Sequence, residues 1–390
     1  MGVTDTVQQP DPLASLDQTA IAFRSWMQLK AEEFEDHRHR LPEDLDITLP
    51  RARALQALLW DGGWTRLGWP LELGGLGGTP LQRAVVTEEL SVAGYQLPMI
   101  HGVMEIIAPM LARFAPELAQ RHLAAAGRGD EFWCQGFSEP DAGSDLGSLR
   151  TRAVPDGDGY RISGQKMWSS SAHLSHWSAL LARTGEAGSG YRGLTLFWVE
   201  LASPGVRVVP THCENGRSET SEIFLDDVYV PSSHIIGEVG GGWTPIMYLM
   251  QFERGGYAWI RQAELHGRLA DVVGAIPAGT PGAAEVVGDA YLSLLGLRAR
   301  CKSTITTLHS GRDLGPEISV DKLLLGMAEQ TVTDAARHLL WPRLEMSEDD
   351  ETEVWRNDWA YSRVTTVYGG AAEVQRDLVA QRLLGLPRER

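Results

Sequence analysis

Two consecutive glycines, Gly369 and Gly370, lie near the end of the chain in the stretch TVYGGAAEVQRD. Residues 364–368 before them are β-branched or aromatic and predict an extended segment. Residues 373–384 after them have helical spacing and are followed by glycine and proline, which are typical of a helix end. Glycines at such a turn let the backbone approach a ligand closely. The pair therefore predicts a binding turn without an acid or a base of its own.

One carboxylate lies on an apolar helical stripe. Glu253 is in line with the apolar residues Ile246, Leu249, Met250, Tyr257 and Ile260. A carboxylate on a core-facing stripe is costly unless it is paired, neutralised or used in chemistry. Arg254 is not the obvious partner, because neighbours on an α-helix point about 100° apart. From the residues alone, a structural and a functional role for Glu253 are equally open.

Small and polar residues are concentrated in CQGFSEPDAGSDLGS (134–148), which follows an apolar strand-like run. Hydroxyls and exposed backbone amides of this kind suit a ligand rich in carbonyls and phosphates. Farther along, GQKMWSSSAHLSHW (164–177) places Trp168 beside three serines, where an indole could cover a flat ring. The alternatives are an ordinary turn and a core tryptophan, and the residues alone leave them open. The stretch lacks the G-x-G-x-x-G pattern of a Rossmann fingerprint.

These residues must be positioned by three stretches of different character. Apolar residues have helical spacing from about 13 to 126, form short extended runs from 132 to 239, and return to helical spacing after GEVGGGW. We therefore expect an α+β multidomain fold with an N-terminal helical domain (1–130), a β domain (131–240) and a C-terminal helical domain (241–390). Extended runs without intervening helices favour an antiparallel barrel or sandwich for the β domain.

The helices of this fold have recognisable starts and lengths. Thr79-Pro80 and Thr244-Pro245 are typical of an N-cap followed by the first helical turn. Long helices are predicted over 245–273, 282–310, 319–341 and 371–384.

The composition excludes several classes of function. The 390 residues are 43% apolar and 22% charged, as in ordinary globular proteins. A formal net charge of −16 without a basic block argues against nucleic-acid binding. Cys134, Cys213 and Cys301 are far apart and not in metal-ligand spacing, so we expect reduced thiols and no metal site. The chain shows neither a run of about 18 apolar residues nor a basic-then-apolar leader, and we expect a cytoplasmic protein.

Four segments, in order along the chain, are similar to signatures of the acyl-CoA dehydrogenase family. They are EPDAGSD (139–145), GQKMW (164–168), FLDDVYVP (224–231) and YGGAAEVQRDLVAQRLLGLPR (368–388), and the resemblance covers roughly residues 60 to 388. It implies an N-terminal helical domain, a middle antiparallel β-barrel and a C-terminal four-helix bundle, with FAD between barrel and bundle. It also implies an acyl-CoA substrate and an electron-transfer flavoprotein as the acceptor.

The resemblance assigns roles to residues of this chain. Phe137 and Ser138 match the stretch along the flavin ring, Trp168 the ring-shielding tryptophan, and Ser170 the hydroxyl that hydrogen-bonds the hydride-accepting nitrogen. Gly143 and Ser144 match a loop near the cofactor phosphates and the acyl-CoA. The cofactor-binding set expected in full is Phe137, Ser138, Gly143, Ser144, Trp168, Ser170, Gly370 and Glu373, and the substrate-binding set is Ser144, Arg254 and Tyr368.

The family's reaction removes an α proton from an acyl thioester while the β carbon delivers a hydride to the flavin. Much of the family carries the catalytic glutamate in a Tyr-Glu-Gly turn, where this chain has Gly369. Some members carry it instead on the helix after the β domain, directly before an arginine, and QFERGG fits that placement. We therefore expect Glu253 to be the base and the Gly369 amide to hold the thioester carbonyl. Glu373 is the weaker alternative, because an acidic residue at a helix start commonly stabilises the helix dipole.

The chain departs from the family pattern at two places. An Arg-x-x-Phe-Gly stretch and a Leu-Gly-Gly-x-Gly turn, which help to hold FAD across a subunit interface, are replaced by IPAGTPGAAEVVGDAYLSLL and WPRLEMSEDDETEVW. The protein is therefore expected to be a homo-oligomer or a heteromer with a related subunit. Two alternatives stay open: a non-catalytic or half-site partner subunit, and a flavin oxidase or monooxygenase of the same fold.

Overall fold

The computed structural model describes residues 9–35, 37, 45–95 and 99–387. The chain begins with helices, continues with a β-sheet and ends with helices. The N-terminal helices are α1 (Leu16–Leu29), α2 (Ala31–Glu35), α3 (Leu45–Asp61), α4 (Pro80–Val92), α5 (Met99–Phe114) and α6 (Pro116–Arg128). They enclose an aromatic core that includes Phe23, Trp26 and Trp64.

The predicted start of α4 is confirmed. Thr79 is the N-cap: its hydroxyl accepts a hydrogen bond from the Gln82 backbone amide, and the Gln82 side-chain oxygen accepts one from the Thr79 backbone amide. This reciprocal capping box satisfies two helix-end donors at once.

The middle part of the chain is one mixed, open sheet. Its strands are β1 (Trp133–Gly136), β2 (Arg152–Asp156), β3 (Gly159–Ser170), β4 (Trp177–Arg183), β5 (Leu194–Glu200), β6 (Val206–Thr211), β7 (Thr220–Pro231) and β8 (Ile235–Ile236). The order is β6-β7-β3-β2-β4-β5-β8, with β1 also paired to β4.

The expectation of a purely antiparallel barrel is therefore wrong in part. β1 runs parallel to β4, and β2 meets β4 in parallel at the single pair Arg152–Arg183. The reason is topological. The β2–β3 hairpin lies between β1 and β4 in the sequence, and after it β4 returns to lie beside β1 and run in the same direction. Local residue patterns do not encode such a non-local pairing.

The C-terminal part is helical. It consists of α7 (Trp243–Gln251), a π-helical turn (Phe252–Gly256), α8 (Tyr257–Ala275), α9 (Ala283–His309), α10 (Ile318–Leu339), α11 (Arg343–Met346), α12 (Asp350–Ser362) and α13 (Ala372–Leu378), which continues into a second π-helical turn, Val379–Leu383. α8, α9 and α10 pack on one another, and α12 packs on α10. Among the described residues, no helix is long and apolar enough to span a membrane.

Two local predictions in this part are wrong. The helix after the sheet begins at Trp243 with Gly242 as its N-cap, so Thr244 is already inside the first turn. Residues 364–368 are not extended, because Val364–Thr366 form a 3₁₀ turn and the Val367 and Tyr368 amides both bond to the Val364 carbonyl. Tertiary contacts thus override the β preference of these side chains.

A buried ion pair fixes the loop that follows β1. Lys166 on β3 donates to Glu139 Oε1 at 2.7 Å and to the Phe137 carbonyl at 3.1 Å, and its side chain is fully buried. Glu139 also accepts from the backbone amides of Arg150 (2.6 Å) and Thr151 (2.9 Å). Burial alone would raise the pKa of Glu139, but the Lys166 charge more than offsets this and the pKa is lowered.

We expect Lys166→Met to unfold at a lower urea concentration, with a loss of about 3 kcal/mol, because it leaves the Glu139 carboxylate buried without its charge partner. The matched control is Arg150→Met, which removes the exposed Arg150–Asp141 pair and should cost less than about 1 kcal/mol. Equal losses in the two variants would show that the buried pair does not hold this loop.

Candidate active site

A π-helical turn between α7 and α8 carries the candidate base. π-helical turns are rare inside helices and frequently lie at functional sites. Within this turn, a β-carbon on Gly255 would overlap the Thr304 methyl group, so glycine is required for α9 to pack this closely. The turn comprises Phe252–Gly256 and includes both Glu253 and Arg254.

Glu253 faces the glycine turn at Gly369. A β-carbon on residue 369 would lie 2.9 Å from Glu253 Oε1. The other carboxylate oxygen, Oε2, is buried and has no hydrogen-bond partner among the described residues. Glu253 therefore brings an acceptor with an open lone pair to the place where much of the family has a glutamate on the turn itself.

The glycine turn needs both of its glycines. Gly369 has φ +63° and Gly370 has φ +104°, a region that side chains with a β-carbon rarely adopt. A β-carbon on Gly370 would overlap the Gln375 side-chain amide and lie 3.0 Å from Arg254 Nη2. Among the described residues, the Gly369 amide has no backbone acceptor, so this N–H group is available to a ligand.

Arg254, expected as a substrate-binding residue, lies next to the turn, and among the described residues no ion pair joins it to Glu253. Its Nε donates to the Gly369 carbonyl at 3.1 Å. Glu253 and Arg254 therefore approach the same turn by different atoms, Glu253 through Oε1 and Arg254 through its guanidinium group. Burial holds the pKa of Arg254 below its usual range, and the charge of Glu253 opposes that effect.

A lysine that the sequence analysis missed completes this cluster. Lys322 on α10 is 3% exposed, donates to the Thr365 carbonyl at 2.6 Å, and has its Nζ 3.9 Å from the centre of the Tyr368 ring. Burial lowers its pKa to about 8, against the attraction of Glu253. The sequence feature that could have identified Lys322 is its place as a single cation in the run DKLLLG, because helical spacing there turns its side chain toward the core.

The expected cofactor-binding residues of the β domain form a second group. Phe137 is buried and Ser138 half-buried, and the Ser138 carbonyl accepts from the Met167 amide at 3.0 Å, which ties this loop to β3. Gly143 and Ser144 lie on the outward part of the same loop and are exposed, with open space beside Gly143.

Trp168 projects from an irregular point of the sheet. The pairing of β3 with β7 is interrupted between Lys166 and Ser169, and Trp168 has φ +59° there. Its indole is 57% exposed, so it is not the core tryptophan of the alternative interpretation. Ser170, two residues on, is also exposed.

The expected site residues form two separate groups. One consists of Glu253, Arg254, Tyr368, Gly369 and Gly370, and the other consists of the loop and strand residues of the β domain. Among the described residues, no direct hydrogen bond links the two groups. Glu373 belongs to neither: it lies in the first turn of α13, its side chain is 81% exposed, and it is 3.9 Å from Arg376.

Comparison with known proteins places this arrangement in a family. The acyl-CoA dehydrogenase N-terminal domain matches residues 22–130, the middle domain 134–228 and the C-terminal domain 240–384. Among characterised sequences, acyl-CoA dehydrogenase IpdE1 of Mycobacterium tuberculosis is 34% identical over 345 residues, which cover 86% of this chain and 88% of the relative.

Two solved structures have the same architecture. A variant of the Tcur3481-Tcur3483 steroid ACAD superposes with a TM-score of 0.82 at 25% identity, over 96% of this chain and 99% of that one. The ChsE4-ChsE5 complex from Mycobacterium tuberculosis has a TM-score of 0.77 at 24% identity, over 98% and 100% of the two chains, which shows the common fold. The chain described here belongs to the acyl-CoA dehydrogenase family of FAD-dependent oxidoreductases.

Proposed function

We propose that this protein dehydrogenates an acyl-CoA thioester between its α and β carbons, with Glu253 as the base that removes the α proton. The observation that supports this most strongly is the approach of the Glu253 carboxylate to the side-chain-free turn at Gly369. A base and a backbone donor are then available on either side of one thioester.

The α proton of a thioester is only weakly acidic, so its removal needs a base in a dry site and stabilisation of the enolate that forms. Glu253 meets the first need, since its Oε2 is shielded from water and unpaired among the described residues. An unpaired buried acceptor is costly in a protein that does not use it. Proton transfer to Oε2 supplies the missing partner.

The second need is met by the backbone of the glycine turn. The Gly369 amide points to no acceptor in the described part of the chain, and a left-handed glycine exposes its N–H to a bound carbonyl. Arg254, which donates to the Gly369 carbonyl, holds the next peptide and thereby the orientation of the turn. The thioester oxygen would accept from the Gly369 amide as it gains negative charge.

The residues of the β domain fit FAD. An indole that is more than half exposed at a left-handed position is suited to cover a flat ring system. Ser138 and Ser170 offer hydroxyls beside it, while Gly143 and Ser144 offer an open loop for phosphates. Bound there, FAD supplies the acceptor for the β hydride, and an electron-transfer flavoprotein would reoxidise it.

We expect Glu253→Gln to bind FAD normally and to lose flavin reduction by acyl-CoA about 10²- to 10⁴-fold, because an amide cannot take the α proton. The measurement is anaerobic stopped-flow bleaching of the flavin, with straight, branched and cyclic acyl-CoA thioesters as substrates. Glu117→Gln, at an exposed position of α6, is the control for loss of a carboxylate and should keep the wild-type rate. Undiminished bleaching in Glu253→Gln would exclude it as the base.

We further propose that the protein works with a related subunit that supplies part of an FAD site. The second segment that departs from the family pattern, residues 341–355, lines a surface cleft of about 810 Å³, and the first segment begins directly after Ala275, which also lines it. Its two arginines already have carboxylate partners, Arg268 with Asp358 at 2.9 Å and Arg343 with Glu351 at 2.6 Å. Asp271 and Asp350 also line it, so the cleft is unsuited to a pyrophosphate. A partner chain with the usual motifs would compensate.

We therefore expect the chain to bind less than one FAD per protomer when it is expressed alone and to gain flavin absorbance when a related subunit is co-expressed. The visible absorption spectrum of the flavin, together with the mass of the purified assembly, measures this directly. A stable homo-oligomer with full FAD content would contradict the heteromeric proposal and leave the assignment of Glu253 unaffected.

A further inference from the structure

We propose that Lys322 is a positioning residue of this active site. Its buried ammonium group holds the glycine turn and places a fixed positive charge beside the negative charge that forms on the thioester oxygen during the reaction. This inference rests on the proposed base and donor, Glu253 and Gly369. It adds a third element, contributed by α10, to a site otherwise built from the π-helical turn and the glycine turn.

The ammonium group contacts the turn at two points. Nζ donates to the Thr365 carbonyl at 2.6 Å and lies 3.9 Å from the centre of the Tyr368 ring, close enough for a cation–π interaction. Tyr368 immediately precedes Gly369 and Thr365 lies four residues before it, so Lys322 holds the N-terminal side of the turn. Arg254 clamps the other side through the Gly369 carbonyl. Two cations from different helices thus fix one short segment that contains two flexible glycines.

Lys322 and Glu253 approach the same point in space. The position of a β-carbon on residue 369 is 2.9 Å from Glu253 Oε1, 3.5 Å from Lys322 Cε and 3.8 Å from Lys322 Nζ. The carboxylate and the ammonium group therefore flank the site where the thioester carbonyl would bind. No ion pair within 4 Å joins them among the described residues, which leaves the carboxylate oxygen available to substrate.

The charged and titratable groups around Lys322 come from three structural elements. Glu253 and Arg254 come from the π-helical turn, Glu329 lies two helical turns farther along α10, and Tyr368 comes from the glycine turn. Glu253 and Glu329 favour the charged lysine, while burial and Arg254 oppose it. Glu329 is already bonded to Arg261 at 2.7 Å, whereas Glu253 has no bonded cation in the described part of the chain.

The reaction moves one negative charge over a short distance. Before proton transfer the charge is on Glu253, and afterwards it is on the thioester oxygen held by the Gly369 amide. A fixed cation on the glycine turn speeds this step to the extent that it stabilises the charge developing on the thioester oxygen more than the charge on Glu253, because only that difference lowers the barrier. A neutral side chain of the same length would keep the packing and lose this effect.

The test compares Lys322→Met with Lys322→Arg in the assembled, FAD-containing enzyme. The wild-type rate of flavin reduction should fall as pH rises through about 8, where the pKa of Lys322 lies. Lys322→Met should be about 10- to 100-fold slower at pH 7 and show no decline there. Lys322→Arg, which stays charged, should keep the wild-type rate at pH 7 within about tenfold and lose the decline. A wild-type rate in Lys322→Met, or a persisting decline near pH 8 in that variant, would overturn the proposal.

The pH dependence of folding stability provides a second readout, and it changes in the direction opposite to activity. Because burial lowers the pKa of Lys322, the unfolded chain holds this proton up to the ordinary lysine pKa of about 10.5 while the folded chain releases it near 8. The contribution of Lys322 to stability therefore rises between these pH values as activity falls. Subtracting the melting curves of Lys322→Met from the wild type isolates this term, and a flat difference would contradict a buried, titrating lysine.

The two proposals can fail separately. If Glu253→Gln keeps its rate, the base is wrong whatever Lys322 does. If Glu253→Gln is inactive but Lys322→Met keeps the wild-type rate and pH profile, Glu253 stands and the role of Lys322 is refuted.

Discussion

The space at residue 369 is the constraint on which the candidate site depends. A side chain there would meet the Glu253 carboxylate, and the left-handed backbone of both glycines makes such a side chain unfavourable in any case. The carboxylate occupies this space because the turn carries no side chain there. Arg254 bonds to the Gly369 carbonyl, and Lys322 bonds to the Thr365 carbonyl just before the turn, so both cations help to hold its shape.

This constraint is transmitted to the surrounding helices. The π-helical turn between α7 and α8 carries Glu253 and Arg254, which both approach the glycine turn, and Gly255 lets α9 pack against it. α10 delivers Lys322 from the other side. In the β domain a buried ion pair, Lys166 with Glu139, fixes the loop expected to meet the flavin. Each half of the site is thus held by a buried cation that bonds to backbone carbonyl groups.

The parts of this arrangement that local pattern encodes were predictable from the sequence. The capping box at Thr79 and the placement of Glu253 on an apolar helix face follow from short-range spacing. The π-helical turn was not predictable, because the helical periodicity of 245–273 continues through it. Lys322 was missed because its partners at Thr365 and Tyr368 are more than forty residues away. Contacts between residues far apart in the sequence are also the reason why the parallel pairing of β1 with β4 was not predicted and why residues 364–368 were wrongly predicted to be extended.

The central claim is that residues 253 and 369 face the same substrate carbon. The most direct measurement is the rate of flavin reduction in a variant that moves the carboxylate, Glu253→Ala combined with Gly369→Glu. We expect this double variant to reduce its flavin at least about tenfold faster than Glu253→Ala alone, despite roughly 1–2 kcal/mol of backbone strain at residue 369. A double variant that binds FAD but is no faster than Glu253→Ala would contradict it.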